Sequence, residues 1–160
     1  VTDKSLNNLM IYASSLSVPI RRNYEDQNVL KGKKLFRDLK CNSCHTEVFT
    51  TSNNYDFNTL LENVTIRPFS DFLLHDMGSD LADNRPDFLA TGNEWRTQPL
   101  WGIGMIKEVN SHTFLLHDGR ARNIEEAILW HGGEAEASKN RYKNLTKKER
   151  QNLLAFINSL

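Results

Sequence analysis

Cysteine occurs twice in 160 residues, and both copies fall in one pentapeptide, Cys41-Asn42-Ser43-Cys44-His45. A C-x-x-C-H box is the pattern of covalent haem attachment. Each thiol can add to one haem vinyl group, and the adjoining histidine then lies under the porphyrin as the proximal iron ligand. Cys41 and Cys44 are therefore the candidate attachment points, His45 the candidate metal ligand, and one covalently bound haem c the expected cofactor. Two plainer readings compete. A redox dithiol calls for a β-α-β pattern around the pair, and no strong strand run lies nearby. A zinc site calls for two further ligands at close spacing. No second cysteine pair exists, and of His75, His112, His117 and His131 only His112 and His117 are spaced like a zinc half-site. Haem is the favoured reading.

The chain is long enough for one domain with a single core. Twenty basic and twenty acidic residues cancel. No bulk electrostatic attraction points to nucleic acid, so a charged partner must be met by a local patch. No run of 18 apolar residues is present, so no membrane span is expected. The chain starts at Val1 and carries no recognisable signal peptide, which reads as a processed chain or a piece of a longer one. Covalent haem attachment takes place outside the cytoplasmic membrane of bacteria, so the expected location is the periplasm or its equivalent.

Apolar residues at helical spacing, Leu6, Leu9, Met10, Ala13 and Leu16, predict an amphipathic helix over 3–16 that Val18-Pro19 ends. A second helix is expected over 27–39, leading straight into the box. Residues 42–100 read as loop-rich, with a polar surface loop over 50–59 and helical turns at 58–63, 71–76 and 86–90. Asn123 is placed to cap a short helix stopped by Gly132-Gly133. Thr146 and Glu149 form a capping box for a last helix whose stripe is Leu153, Leu154, Phe156, Ile157 and Leu160. The fold class is mostly α: a cytochrome c-like haem domain with long irregular loops, in which a flat apolar cofactor replaces missing protein core.

Several segments line up in order: Gly32-Lys33-Lys34-Leu35-Phe36, Leu74-His75-Asp76-Met77-Gly78, Glu94-Trp95-Arg96-Thr97-Gln98-Pro99-Leu100-Trp101-Gly102, Leu116-His117-Asp118-Gly119-Arg120-Ala121, and 125–135. Together they resemble the C-terminal haem domain of the di-haem oxidoreductases, often called thiol oxidoreductases, which are relatives of the bacterial di-haem cytochrome c peroxidases. Members carry two C-x-x-C-H boxes and this chain has one. The resemblance thus implies a single haem domain over 1–160, with 1–20 as the end of a missing N-terminal region and 21–160 as the cytochrome c-like core. It implies a second haem domain of the same protein as partner, and a small electron-donor protein. Calcium between the two haem domains is a feature of the peroxidase relatives, so the resemblance allows calcium here, with no ligands placed by the sequence.

In those relatives an H-D-G or H-S-G turn precedes a short helix that presents the distal ligand, usually methionine. The matching position here is His131, fourteen residues beyond His117. Met105, in a glycine-rich apolar turn 60 residues after His45, and Met77 are the alternative ligands, and an open or water-bound iron is the remaining one. A helix C-terminus favours a protonated histidine, which would oppose ligation by His131. Haem propionates call for bidentate cations. Arg96, flanked by Trp95 and Trp101, is the first choice, ahead of Arg67, Arg120 and Arg122. Trp101 is read as a pocket wall, and His117 as a turn residue able to donate to a propionate. The functional expectation is an electron-transfer domain relaying electrons to a catalytic haem outside this chain. The alternatives are that this haem itself reduces peroxide, with His131 or Glu134 as acid–base group, or that the chain is a stand-alone electron carrier.

Overall fold

The computed structural model describes residues 2–54 and 58–160. The elements run in chain order as α1 (Asp3–Ser14), α2 (Gln27–Asp38), β1 (Phe49–Thr50), β2 (Thr65–Ile66), β3 (Leu74–Asp76), β4 (Glu94–Arg96), α3 (Ile106–Asn110), α4 (Ile124–Trp130), α5 (Glu136–Lys143) and α6 (Lys147–Asn158). The protein is mostly α with long irregular segments, as its sequence predicts.

The core is the crossing of α2 and α6. Asp26 caps α2, its carboxylate accepting from the Asn28 and Val29 amides at 2.7 and 3.3 Å. The Thr146–Glu149 capping box opens α6 as expected. Val29, Phe36 and Leu39 face Leu153, Phe156, Ile157 and Leu160, all buried. Gly32 makes the crossing close, because a Cβ there would overlap the Asn152 carbonyl and lie 2.7 Å from the Phe156 Cβ. Phe69, arriving from a loop, packs edge-on against Phe36 and Phe156 at ring separations of 6.0 and 5.8 Å. Such edge-to-face contacts set orientation as well as burial. The Tyr142 hydroxyl, on α5, donates to Glu125 on α4 at 2.8 Å and so ties both to this core.

Elsewhere the chain departs from its sequence reading. α1 forms where its apolar spacing places it, yet none of its residues is buried, and Leu6, Leu9 and Leu16 are all exposed. The turn expected at 71–76 ends in a strand. β3 pairs antiparallel with β4, Leu74 opposite Arg96, His75 opposite Trp95 and Asp76 opposite Glu94. A three-residue strand is too short to display alternation, and its partner lies far along the chain. At 86–90 an antiparallel bridge joins Asp87 and Ala90 in place of a helical turn. At 58–63 a 3-10 turn forms over Thr59–Leu61. Residues 55–57 of the polar 50–59 loop lie outside the described residues.

Candidate haem site

The C-x-x-C-H box leaves α2 through Lys40, whose positive φ of 67° reverses the chain into a 3-10 turn, Cys41–Ser43. The His45 amide donates to the Cys41 carbonyl at 3.0 Å. That one-turn geometry puts Cys41, Cys44 and His45 on a common face. Arg37 holds the exit of the box against α2 through a bidentate pair with Glu47, at 2.5 and 2.7 Å. Burial pushes the Cys41 thiol up to about 11 and raises that of Cys44 as well. Both thiols are free and protonated at neutral pH.

His45 is backed by Phe36, ring centres 6.2 Å apart. Its Nδ1 is 2.9 Å from the Phe69 carbonyl. That bond fixes the tautomer: Nδ1–H donates and Nε2 keeps its lone pair. Phe69 itself sits at φ 53°, a strained value for a bulky residue. The segment is pinned there by the Ser70 amide donating to the Thr46 carbonyl, the Ser70 hydroxyl to the Thr97 carbonyl, and the Leu100 amide to the Pro68 carbonyl. The loop thus aims one backbone oxygen at the proximal histidine.

His131 repeats this arrangement from the opposite side. Asn123 caps α4, accepting from the Glu126 amide at 2.8 Å, and the Glu126 carboxylate bonds Arg122. The helix ends at Trp130, and His131 turns out of it with an extended backbone. Its Nδ1 lies 2.7 Å from the Ala127 carbonyl, again leaving Nε2 free. The ring centres of His45 and His131 lie 6.5 Å apart, with the ring planes tilted by 45°. Two imidazoles sharing one ion through nitrogens at about 2 Å have ring centres roughly 6.3 Å apart, since a ring nitrogen lies about 1.1 Å from its ring centre. Burial lowers both pKa values, that of His45 to about 4. The protonated His131 expected from the helix terminus is therefore not what forms: desolvation outweighs the terminal carbonyl. Two neutral imidazoles, each oriented by a backbone acceptor, fit a haem iron.

The other sequence candidates take separate places. Met77 lies in the turn after β3, its amide donating to the Asn93 carbonyl at 2.9 Å. Met105 ends the 3-10 turn Ile103–Met105, where Gly104 abuts the Asn158 carbonyl at the end of α6. His117 stacks on Trp95, 3.5 Å between centres and 9° between planes, while the Trp95 indole donates to the Leu81 carbonyl at 3.0 Å. The turn that follows forms as expected, with Asp118 accepting from the Arg120 amide and Gly119 at φ 74°. Arg120 bonds Asp118 and the Asp80 carbonyl and lies over the Trp130 ring at 4.9 Å. Arg96 is exposed and donates to Gln98 at 3.2 Å. Trp101 is half-buried, and the Gly102 amide that follows it donates to the Leu160 carbonyl.

A family model described as "Di-haem oxidoreductase, putative peroxidase" matches residues 1–160. This chain belongs to the di-haem oxidoreductases. No curated protein and no solved structure matches it. Membership makes haem the cofactor class of this di-haem oxidoreductase. Among the described residues one trio of potential metal ligands, Cys44, Asp71 and His75, lies within 4.8 Å. Both His75 nitrogens already face carboxylates there, so the trio offers no free imidazole to an ion.

Several contacts of the site escaped the sequence reading. Phe69 supplies the carbonyl for His45, and Ala127 the one for His131; a backbone acceptor leaves no mark on residue type. The partners of His75 are Asp71, at 2.8 Å, and Glu134, at 2.9 Å. The i,i+4 spacing of Asp71 and His75 was the available signal. Glu134, 59 residues from His75, gave none.

Proposed function

We propose that this chain is a c-type haem domain that relays electrons to a catalytic haem outside it. In this reading Cys41 and Cys44 would carry one haem c through thioethers, and His45 and His131 would hold its iron. The supporting observation is the pair of neighbouring imidazoles, ring centres 6.5 Å apart, each with Nδ1 tied to a backbone carbonyl. Haem, when bound, supplies a one-electron iron couple. The chain's own contribution is to hold both Nε2 atoms toward the metal, to keep both imidazoles neutral by burial, and to back the proximal one with Phe36. With His45 and His131 both holding the iron, the chain would leave peroxide no open position. A second histidine in place of methionine lowers the potential. Arg96 and His117 are assigned to the propionate edge, and Trp101 to the pocket wall. The electron donor is a small redox protein, the acceptor a second haem domain of the same protein, and the setting the periplasm or its equivalent. Among the described residues no helix is long and apolar enough to cross a membrane.

Production with a cytochrome c maturation system tests attachment. Intact mass is expected to exceed the chain mass by one haem, and an unmodified mass or one equivalent of zinc rejects the reading. The ferric spectrum is expected to be low-spin without a methionine-to-iron band, and to change in His131→Ala. Steady-state oxidation of a reduced dye by peroxide is expected to be slow and to rise in His131→Gly. Rapid turnover that falls in His131→Gly would instead make His131 an acid–base group over an open haem.

A further inference from the structure

The proximal and distal ligand loops meet at one side chain, His75. Asp71 lies two residues past Phe69, whose carbonyl orients His45, and its carboxylate is within 4.8 Å of the Cys44 sulfur and the His75 ring. Glu134 lies three residues past His131. His75, on β3, spans the two, with Nε2 2.8 Å from Asp71 and Nδ1 2.9 Å from Glu134. A neutral imidazole offers one donor and would set its lone pair against a carboxylate; an imidazolium donates to both. The side chains of His75 and Asp71 are largely shielded, at 16% and 12% exposure, so these charge-assisted bonds are only partly screened by water.

Backbone contacts close the same junction. The second oxygen of Glu134 accepts from the Asp76 amide at 3.0 Å. Gly132 and Gly133 lie so near β3 and its turn that a Cβ on Gly132 would come within 2.7 Å of the Met77 carbonyl, and one on Gly133 would overlap the Asp76 carbonyl. Gly133 also needs its φ of 51°. The glycine pair therefore does more than stop α4; it lets the segment after His131 lie flat on the strand that carries His75. Apolar packing holds α4 only in part: Ile124 and Ile128 rest against the core, but no residue of the helix is fully buried.

We propose that His75 is a positioning residue: bridging Asp71 and Glu134, it straps the distal-ligand segment to the proximal loop and so governs how readily His131 leaves the iron. This rests on His131 being the distal ligand. Outer-shell partners of metal ligands act in this way, by restricting where the ligand can go.

The test is the limiting rate of cyanide binding to the ferric, haem-loaded protein, compared among wild type, His75→Gln, Glu134→Gln, the double variant and His131→Gly. Each single clamp variant is expected to bind cyanide about 10–100-fold faster than wild type, the usual range for outer-shell loss. The double variant is expected to be no faster than the quicker single, because both remove one shared interaction. Glu134 is 56% exposed, so Glu134→Gln carries the test if His75→Gln does not fold. The proposal is overturned if both singles stay within about twofold of wild type while His131→Gly is fast, or if the double variant is multiplicatively faster. If wild type binds cyanide as fast as His131→Gly, His131 is not the distal ligand, and the clamp and the relay reading fall together.

Discussion

His75 also writes a pH dependence into the protein. Burial draws its pKa down, but hydrogen bonds to Glu134 and Asp71 outweigh burial, and the net shift is upward. Asp71 is held below its ordinary value although burial opposes this, by the Leu73 amide, His75 and Thr97. Glu134 is lowered by its hydrogen bonds from His75 and the Asp76 amide. A histidine raised in the folded state adds stability that is complete below its unfolded value of 6.5 and is lost as pH climbs through the folded value. The lowered carboxylates add stability that is present above their unfolded values, 3.8 and 4.5, and is lost as pH falls through the folded ones. The cluster therefore contributes most between the carboxylate range and 6.5. The melting-temperature gap between wild type and His75→Gln is expected to shrink as pH rises from about 6 to about 9. A gap that stays constant across that range would remove the imidazolium from the account.

Among the elements, α2 and α6 carry the core, and α4 leads into His131, the proposed distal ligand. Gly32→Ala forces a methyl group into the Asn152 carbonyl. The helices must move apart, and overpacking of this kind costs about 1–3 kcal/mol. Chemical denaturation should show that loss, and Phe36, which backs His45, should transmit it as a perturbed haem spectrum. Unchanged values for both would mean the crossing is looser than its geometry. α4 is the weaker element: seven residues long, with an Asn123 cap and no fully buried side chain. Short helices depend on their caps. Asn123→Ala is expected to cost about 1 kcal/mol, which corresponds to roughly fivefold more frequent fraying. Ferric cyanide binding should quicken by a similar factor while the global denaturation midpoint moves little. The opposite pattern, a large midpoint shift with unchanged binding, would place α4 inside the cooperative core.

For the whole molecule, buried apolar mass is lopsided. The loops between α2 and α4 contribute Phe69, Leu81 and Ala121 to the buried apolar set, while Phe72, Leu73, Leu74 and Phe114 remain exposed. Such a region has little core of its own, and a bound cofactor that favours the folded state stabilises it. In Cys41→Ala/Cys44→Ala, made without haem, hydrogen exchange is expected to remain slow in α2 and α6. It should accelerate across the 69–77 and 93–100 segments, which build the ligand loops. Equal protection in both forms would show that the loops fold without the cofactor.

The sequence by itself determined whatever is carried by local pattern. The C-x-x-C-H box named the chemistry, helical spacing located α1, α2 and α6, and capping residues fixed the starts of α4 and α6. The order of the family segments placed His131. Each of these signals lies within about one or two helical turns, the range over which residue type constrains backbone. Tertiary structure decided the rest. That the α1 stripe stays exposed, that residues 74–76 form a strand, and that His75 answers to Glu134 all depend on partners distant in sequence. The orientation of both histidines depends on the carbonyls of Phe69 and Ala127. Every residue has a carbonyl, so nothing in the sequence distinguishes the two that face an imidazole; only folding brings them there.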